Sequence, residues 1–560
     1  MQDAQQVYEA LREIAAFLRF DGAPRFKVDA FEQGAEVVKT VGAELGARVE
    51  QDRLRELQGI GATLSRQIHE LWNSGSSSLL EQLRATHPPG AAELIRMPGM
   101  TPRRIALLHE ALGISSVEQL LAACAAGQVQ GVPGFGAKTE QKLREAGERY
   151  LARKPKPPAR LLLAEALALV ERLRTELGEL GERLQLAGEL RRGEELVGRL
   201  ELFVAGDVAP VIEALKRLRS VLRFDEARNV AFLAQGIELE LASSEVARAG
   251  NGWLEATGNA AHLASVRARA ATHAVSLEAQ PFASEAELYR ALGLAFVPPE
   301  LRQGTDELSL AEAGGFEDLI ALGDVRGAVH CHTIFSDGRA SVLEMAQAAH
   351  ALGLDYITIT DHSPSAHYAS GVALDRLRQQ WDEIAAAQEI VPIRILRGTE
   401  SDILSDGSLD YPDAVLERFD VIIASIHARH KQDRATMTGR LVRAMALPVF
   451  KIWGHALGRI LNHRDPIDCD VPRVLDALQG SRGAIELNAD PHRLDLPPQW
   501  IPEARRRGIP FVLGVDAHST RGLQALPHGI TQARRGGLRR REVLNSLTAD
   551  EFAARVRPRP

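Results

Sequence analysis

Apolar residues recur along this chain with two different periods, and the change of period divides the chain into regions. Up to about residue 150 they follow helical spacing in short stretches broken by glycine, as in residues 11–20 (LREIAAFLRF). Residues 161–250 mix helical stretches with strand-like alternation, which predicts an α+β module, and residues 251–312 are helical again. From about residue 326, short apolar runs alternate with helical stretches, which predicts parallel strands joined by helices.

The C-terminal region contains seven strand-like runs. They are AVHCH, YITIT, IRILRGTE, VIIASIH, VFKIWGH, GAIELNA and PFVLGVDAH. Strands of this kind with helical crossovers indicate a closed or nearly closed α/β barrel. We therefore predict a multidomain protein with a helical N-terminal part, an α+β middle part and a distorted, seven-stranded α/β barrel at the C-terminal end.

Side chains of the kind that bind metals stand at the ends of these runs. The set is His330, His332, Asp337, His362, Glu400, His427, His455, Asp516 and His518. Because functional groups of such barrels lie at the carboxyl ends of the strands, we expect one common site. Imidazole mixed with carboxylate suits Zn²⁺, Mn²⁺ or Fe²⁺ better than Ca²⁺. At three protein ligands per ion, the set would hold about three ions and leave positions open for water and phosphate.

Alternation along the first run separates its members. His330 and His332 point to one face of the strand, and Cys331 points to the other. We therefore expect Cys331 to be a packed core residue and not a ligand.

Three stretches of the N-terminal region share the pattern apolar, Gly, apolar, Gly or a small residue, then a helix. Their glycines are Gly59 and Gly61, Gly99, and Gly134 and Gly136. Such glycines allow a tight turn that exposes N–H groups at the start of the next helix, where they suit a backbone phosphate. A single occurrence of this pattern would be interpreted as an ordinary turn between two helices. Three occurrences about 40 residues apart indicate helix-hairpin-helix elements. In the middle copy Thr101 replaces the second glycine, so we expect a weaker phosphate contact there.

Composition limits the partners and the compartment. The net charge of −7 is not typical of a protein that binds polyanions through overall charge, so nucleic acid would have to be held by local devices such as the hairpins. The absence of a long uncharged apolar run argues against a membrane span, and the start of the chain does not have the pattern of a signal peptide. The three scattered cysteines fit a reducing compartment, so we expect a cytoplasmic protein.

Several of these features together resemble one family. The hairpins, GELRRG (188–193), TGNAAHLASVRARA (257–270), YRALGLAFVPPELR (289–302) and the C-terminal ligand series resemble the bacterial X-family DNA polymerases. In that family a polymerase-β-like core precedes a PHP (polymerase and histidinol phosphatase) domain. The resemblance covers nearly the whole chain, and the combination is far more specific than any single motif.

The basic, proline-rich stretch from Arg153 to Pro158 predicts a stiff linker and a domain boundary. The resemblance adds a division into domains. The predicted segments are a helix-hairpin-helix domain (1–88), a fingers-like helix-hairpin-helix domain (89–155), a palm-like domain (156–250), a thumb-like domain (251–312), a linker (313–326) and a PHP phosphoesterase domain (327–560).

The resemblance also implies roles for the C-terminal site. By this likeness, Mn²⁺ is the favoured metal, and the ions generate a hydroxide and cradle a phosphate for 3′→5′ removal of nucleotides. Arg459, Asn488 and Arg493 are candidates for contacts with substrate phosphates. Asp361, beside His362, is a candidate for orienting a ligand.

The polymerase motif of the family is altered here. The pattern is a Gly-Ser pair before an Arg-Arg-Gly turn, then Asp-x-Asp, then a third Asp, and its carboxylates hold two Mg²⁺ ions. The corresponding residues are Gly188, Glu189, Arg192, Arg199, Glu201 and Glu240. Arg199 places a fixed cation where a carboxylate ligand is expected, and its charge would repel a divalent ion. Glu189 places a negative charge where a hydroxyl would contact the incoming triphosphate.

We therefore expect DNA polymerase activity to be weak or lost. The alternative is a surviving gap-filling polymerase, with Mg²⁺ or Mn²⁺ in the palm, that the PHP domain proofreads. Some family members are also 5′-deoxyribose-phosphate lyases, which use a lysine six residues after the second hairpin glycine. Here that residue is Gln67, which cannot form a Schiff base.

The function expected from the sequence is that of a monomeric DNA-repair enzyme. Its PHP domain is expected to be a metal-dependent 3′→5′ exonuclease or phosphoesterase acting on strand ends of gapped or nicked DNA, with dNTPs as ligands only if the core still binds them. A second alternative is a DNA-binding scaffold or a small-molecule phosphatase. The three hairpins weigh against a phosphatase of small metabolites, and the complete ligand series weighs against a pure scaffold.

Overall fold

The computed structural model describes residues 3–152 and 160–558. The predicted linker from Arg153 to Pro158 lies outside the described residues. The chain forms two compact units. The first comprises Met1–Arg160, Leu173–Gln185 and Gly198–Ala242, and the second comprises Leu161–Arg172, Leu186–Val197 and Ser243–Pro560.

The N-terminal part of the first unit is helical. Its α-helices are Ala4–Phe20, Arg25–Val41, Leu45–Glu50, Ala62–Ser74, Ser78–Thr86, Ala91–Leu94, Pro102–Leu112, Val117–Ala125 and Ala137–Leu151. The first helix begins at a capping box, in which Asp3 accepts from the N–H of Gln6 and Gln6 accepts from that of Asp3. Its apolar face, with Leu11 and Ile14 fully buried, packs into a core shared by these helices, because the apolar residues recur at helical spacing.

The middle part of the first unit is built around a sheet. Its five strands are Gln185–Leu186, Arg199–Ala205, Val221–Asp225, Val230–Leu233 and Glu238–Ser244, with the helices Glu179–Glu182 and Ala209–Leu215 beside them in the sequence. The order in the sheet is Gln185–Leu186, Arg199–Ala205, Glu238–Ser244, Val230–Leu233 and Val221–Asp225. This α+β arrangement agrees with the mixed periods of the sequence.

The second unit contains helical segments ahead of its barrel. They are Gly188–Arg191, Ala249–Thr257, Ala260–Thr272, Glu285–Ala291 and Glu307–Glu312. The helix Leu163–Leu177 has residues in both units. A two-residue strand, Leu161–Leu162, pairs antiparallel with Leu196–Val197.

A closed barrel of seven parallel strands forms the rest of the second unit, as predicted. The strands are Gly327–Cys331, Tyr356–Ile359, Arg394–Asp402, Val421–Ser425, Lys451–Trp453, Gly483–Asn488 and Phe511–Ala517. Each pairs with the next along the chain, and the last pairs with the first. The helices of this region are Val342–Ala351, Leu374–Gln388, Asp413–Leu416, Arg434–Met445, Val471–Gln479, Ile501–Arg506, Leu526–Arg535 and Ala549–Val556.

The strands of the barrel are buried along almost their whole length, as expected for parallel strands with helices between them. Cys331 is fully buried in the core cluster of the barrel, which confirms that it is a packing residue.

Within residues 3–152 and 160–558, no single helix is long and apolar enough to cross a bilayer. In this described part of the chain, one pair of helices, Pro102–Leu112 and Val117–Ala125, reaches that length and composition when taken together, although the pair is bent by 65°.

Candidate metal centre

Two strands of the barrel are irregular at the point where they present candidate ligands. The pairing register shifts between Ala328 and Cys331 and between Gly514 and Ala517, which are the segments that contain His330 and Asp516. His330 has φ 69° and Asp516 has φ 49°, in the left-handed region that costs energy for residues other than glycine. Bulges and strained backbone of this kind re-aim side chains and are concentrated at functional sites.

The predicted ligands gather around the buried carboxylate of Glu400, which is 1% exposed. Its two oxygens lie within 3.7 Å of five imidazoles. Oε1 is 2.8 Å from His455 Nε2, 3.2 Å from His427 Nε2 and 3.3 Å from His330 Nε2, and Oε2 is 2.9 Å from His362 Nδ1 and 3.7 Å from His332 Nε2. One carboxylate on the third strand therefore connects the histidines of four other strands or strand ends.

Two further carboxylates bring in the remaining ligands. Asp337 Oδ1 lies 3.3 Å from His518 Nε2 and 3.6 Å from His362 Nε2. Asp516 Oδ1 lies 3.3 Å from His332 Nε2 and 3.8 Å from His518 Nδ1. The structure thus places all nine predicted ligands in one site.

Three sets of these ligand atoms are close enough to share an ion, with all atoms of a set within 4.8 Å of one another. They are His332, Asp337, His362 and His518; His330, His332 and Asp516; and His362, Glu400 and His427. The sets share His332 and His362, so they adjoin.

Several ligand atoms of the site lack the hydrogen bonds that buried polar atoms normally make. Among the described residues, the buried atoms without a hydrogen-bond partner include His330 Nε2, both ring nitrogens of His332, His362 Nδ1 and Glu400 Oε2. Leaving such atoms unsatisfied is costly, and metal coordination would use them. Imidazole with carboxylate is also a donor set that fits Zn²⁺, Mn²⁺ or Fe²⁺, so the residues fit the metals that the family implies.

The carboxylates and imidazoles strongly affect one another's ionisation. Burial alone would raise the pKa of Glu400, but the neighbouring histidines outweigh it and hold that pKa well below its usual range. Burial alone would lower the pKa of His362, but Glu400 and Asp337 raise it to about 10. His332 behaves in the opposite way, because burial and the nearby His362 lower its pKa to about 3. The carboxylate of Glu400 therefore favours its ionised form, which is the form that binds cations.

Two carboxylates that the sequence analysis missed hold the ligands in place. Glu486 Oε1 lies 2.6 Å from His330 Nδ1, and Asp402 Oδ1 lies 2.6 Å from His427 Nδ1. Each leaves the Nε2 of its histidine facing Glu400, which is the usual arrangement for a histidine that binds a metal. The available signal was spacing, since Asp402 stands two residues after Glu400 on the same strand face.

Asp361 orients a loop and not the ring of His362. Its carboxylate accepts from the backbone N–H and hydroxyl of Thr333 at 2.7 and 2.6 Å, and from Ser336 Oγ and Gln380 Nε2. Asp361 therefore fixes the loop that carries Asp337.

The three polar candidates for phosphate contact differ in what they touch. Arg493 Nε lies 3.4 Å from Asp516 Oδ2, and Arg493 Nη1 is buried without a hydrogen-bond partner. Asn488 Nδ2 lies 3.2 Å from the same Asp516 oxygen. Arg459 instead donates to Glu195 at 2.6 and 3.2 Å and to the carbonyl of Arg493. Arg493 and Asn488 thus adjoin the ligands, whereas the guanidinium of Arg459 is engaged elsewhere.

The three hairpins share a backbone conformation. Gly59, Gly99 and Gly134 have φ values of 92°, 87° and 91°, which only glycine adopts without strain. Gly61 and Gly136 are the residues before the helices Ala62–Ser74 and Ala137–Leu151 and have no side chain to cap them. At the middle hairpin, the hydroxyl of Thr101 accepts from the N–H of Arg104 at 3.3 Å, so one N–H that a phosphate would use is already bonded.

The altered polymerase motif contains an ion-pair network. Arg199 Nη1 lies 2.5 Å from Glu240 Oε2, and Arg199 Nη2 lies 3.2 Å from Glu238 Oε2. The candidate third carboxylate is thus paired with the arginine that replaces the first one. Glu238 is a partner that the sequence analysis did not identify.

The arginines of the Arg-Arg-Gly turn are also engaged. Arg191 makes an ion pair with Glu285 at 2.6 Å, and Arg192 donates to the carbonyl of Thr257 at 2.7 Å.

The position of the family's lyase lysine is buried. In the first unit, Gln67 is 3% exposed within the helix Ala62–Ser74, which is not an accessible position for a Schiff-base residue.

Comparison with known proteins identifies these parts. Residues 328–489 match the PHP domain, residues 91–146 match the SAM-like helix-hairpin-helix tandem, and residues 2–77 match the helix-hairpin-helix domain. The chain is 32% identical to the DNA polymerase/3′-5′ exonuclease PolX of Bacillus subtilis (strain 168), over 98% of both chains.

Two further similarities cover a smaller share of the chain. The chain is 29% identical to a probable phosphatase of Caldanaerobacter subterraneus subsp. tengcongensis, over 34% of this chain and 74% of that protein. It is 27% identical to a probable phosphatase of Thermoanaerobacter sp. (strain X514), over 39% of this chain and 89% of that protein.

The fold and the matched domains define an X-family DNA polymerase core joined to a PHP phosphoesterase domain. This chain belongs to the PolX family of bacterial DNA polymerases, and the family predicted from the sequence is confirmed.

Proposed function

We propose that this protein is a metal-dependent 3′→5′ exonuclease or phosphoesterase of DNA strand ends, acting in DNA repair through its PHP domain. The observation that carries the proposal is that nine ligand-type side chains lie together in one site, five of them imidazoles around Glu400, and that several buried donor atoms there have no hydrogen-bond partner. The printed name of the Bacillus subtilis relative, which includes a 3′-5′ exonuclease, supports the direction of cleavage.

The three ligand sets described above would hold the ions, about three at three or four protein ligands each, and Mn²⁺ is the metal we favour. When bound, such ions lower the pKa of coordinated water and neutralise phosphate charge. Glu486 and Asp402 hold the ring nitrogens of His330 and His427 in the orientation that coordination requires.

The remaining polar groups would bind the substrate. Arg493, buried beside Asp516 with one nitrogen unpartnered, is placed to donate to a phosphate oxygen. Asn488 would assist it from the neighbouring strand. The first and third hairpins offer free N–H groups at helix starts, so they would contact the DNA backbone independently of its sequence.

We further propose that templated DNA synthesis by this chain is weak or lost. Arg199 forms ion pairs with Glu240 and Glu238, so the residues that align with the metal ligands neutralise one another. A divalent ion would have to displace a guanidinium that cannot lose its charge. The printed name of the Bacillus subtilis relative includes a DNA polymerase, which is the observation in favour of a surviving gap-filling activity.

The domain bounds predicted from the sequence, the monomeric state and any binding of dNTPs are parts of the same proposal.

The experiment uses a gapped duplex with a labelled primer and the full-length protein, with Mn²⁺, Mg²⁺ or Zn²⁺ and with or without dNTPs. The matched variant is His330→Ala, His332→Ala, because both residues belong to the ligand sets.

We expect shortening of the primer by the wild type and none by the variant, while both bind the duplex. Equal degradation by both proteins would place the nuclease outside the barrel. Robust Mg²⁺-dependent extension would contradict the proposed loss of synthesis. Hydrolysis of small phosphomonoesters without any cleavage of DNA would favour a small-molecule phosphatase.

A further inference from the structure

An exposed tyrosine stands beside the candidate metal centre. Tyr368 lies in the short 3-10 turn His367–Ala369 and is 68% exposed. The centre of its ring is 5.9 Å from that of His362 and 6.0 Å from that of His427. Those two histidines belong with Glu400 to one of the three ligand sets. The ring therefore borders the site while most of its surface stays open.

The loop that carries Tyr368 is attached at both ends to residues of the site. The hydroxyl of Ser363 accepts from the N–H of Asp402 at 2.9 Å, and Ser365 Oγ donates to Asp402 Oδ2 at 2.8 Å. At the far end, the N–H of Val372 donates to the carbonyl of His362 at 2.8 Å. The loop thus leaves and returns at a candidate ligand, so the position of Tyr368 is tied to that of the metal centre.

A single exposed aromatic residue on a protein surface needs no special explanation. Two observations distinguish this one. Its neighbours are the imidazoles of the site, and the segment between the candidate ligands His332 and Asp337 carries Ile334, which is 56% exposed. Apolar surface is therefore left open beside a cluster of charged groups.

The chemistry of a nucleotide matches this arrangement. In a nucleotide, one sugar separates the phosphate from the base. If the ligand sets and Arg493 bind the phosphate, the base of that nucleotide would reach the ring of Tyr368, which borders the imidazoles. Aromatic side chains stack on any base because every base has a π face, and this stacking tolerates changes of sequence. A phosphomonoester that lacks a base would gain nothing from the same ring.

We infer that Tyr368 is a substrate-positioning residue, whose ring stacks on the 3′-terminal nucleobase of a strand whose phosphodiester occupies the metal centre. The inference rests on the proposed exonuclease function and adds to it a subsite for the terminal nucleoside.

The test compares two oligonucleotides that differ only in the last residue, which is either an ordinary nucleotide or an abasic tetrahydrofuran analogue. The full-length wild type, Tyr368→Ala, Tyr368→Phe and the control His367→Ala are assayed with Mn²⁺ for kcat/KM on both substrates. His367 is exposed on the same turn and is not assigned to the site. Bound metal in each protein is measured by mass spectrometry.

We expect Tyr368→Ala to lose between about 5-fold and 150-fold in kcat/KM on the ordinary end, as is typical for loss of one stacked base. On the abasic end it should match the wild type, which should itself be slow there. Tyr368→Phe keeps the ring and should retain the preference, and His367→Ala should behave as the wild type on both substrates.

Equal losses on both ends, or a lower metal content in Tyr368→Ala, would overturn the inference, because the ring would then only support the histidines. A wild type that cleaves the ordinary end no faster than the abasic end would also overturn it. If the wild type degrades neither oligonucleotide, the proposed exonuclease function fails, and this subsite fails with it.

Discussion

The barrel and the polymerase-like sheet of this chain both contain clustered acidic residues, but the neighbours of these carboxylates differ between the two regions. In the barrel, Glu400 lies within 3.7 Å of five imidazoles, whose ring nitrogens can bind a metal when they are unprotonated. On the sheet, Glu240 and Glu238 face Arg199, whose charge is permanent. Similar carboxylates therefore form a candidate metal centre in one place and an ion-pair network in the other.

Burial separates the two regions further. Glu400 is 1% exposed and has histidine neighbours that are themselves held by Glu486 and Asp402. The side chains of Arg199 and Glu240 are about 40% exposed, with values of 41% and 39%. An ion pair with this degree of exposure contributes little to stability, about 0–1 kcal/mol. Stability therefore does not account for the presence of Arg199. In the proposal made above, Arg199 instead occupies the place of a metal ligand and pairs with the neighbouring carboxylates.

The largest expected effect comes from the centre of the barrel. Glu400→Gln removes a charge shared by five histidines, so nuclease activity should fall by more than about 100-fold, beyond the loss typical of outer partners. Glu240→Gln is the matched change on the sheet and should leave degradation unchanged. The measurement is the rate of primer shortening with Mn²⁺, and equal rates for Glu400→Gln and the wild type would refute the proposed centre.

An intermediate effect is expected from the residues that hold the histidines. Asp402→Asn leaves all nine ligands in place but weakens the hydrogen bond at His427 Nδ1, so metal affinity or activity should fall by about 10- to 100-fold. Asp406→Asn serves as control, because the carboxylate of Asp406 accepts from the N–H and hydroxyl of Ser408 in an exposed turn and, among the described residues, contacts no candidate ligand. If both variants bind metal equally well, Asp402 has no role in orienting His427.

Metal loading should depend on pH in the barrel. Burial lowers the pKa of His362, but Glu400 and Asp337 outweigh burial and raise it to about 10, so without metal this ring carries a proton at neutral pH. Binding a metal must displace that proton, and the apparent affinity should rise as the pH increases from 7 towards 10, by at most about tenfold per pH unit for one proton. Calorimetry in buffers of different ionisation enthalpy measures the proton release. Affinity that falls over this range would show that His362 is not a ligand.

A smaller effect, a gain of primer extension, is expected when the family's carboxylates are restored on the sheet. Arg199→Asp combined with Glu201→Asp and Glu240→Asp rebuilds the family's carboxylates, and should raise Mg²⁺-dependent primer extension above the wild-type level by about tenfold or more, since a tenfold change needs only 1.4 kcal/mol. The His330→Ala, His332→Ala background prevents loss of the product. If the protein with the unaltered sheet extends the primer in that background as fast as the triple variant does, the proposal that Arg199 suppresses synthesis is contradicted.

The smallest effect is expected at the hairpins, where two glycines of one copy differ only in conformation. Gly134 has φ 91° and Gly136 has φ −115°, and an added Cβ meets no atom within 4 Å at either position. Gly134→Ala should therefore cost about 1–2 kcal/mol, whereas Gly136→Ala should be nearly neutral. Urea denaturation of the two variants gives the comparison, and equal stabilities would show that the turn relaxes.

Much of the barrel could be predicted from the sequence alone. Its seven strands follow from short apolar runs, and its nine candidate ligands follow from residue type and place, because functional groups of such barrels stand at strand ends. The hairpins were predictable for the same local reason, since only glycine adopts the φ values near 90° that Gly59, Gly99 and Gly134 have. The departure at Arg199 was also visible in the sequence.

Only the tertiary structure showed what each of these residues touches. The pairing of Glu486 with His330 joins residues 156 positions apart, and the sheet order that sets Arg199 beside Glu238 and Glu240 depends on which strands neighbour each other. The commitment of Arg459 to Glu195, 264 positions away, could not be read from a motif either. Residue type and local spacing set what a side chain is able to do. Its partners depend on contacts between distant segments, which are fixed by packing and strand pairing and leave no local pattern.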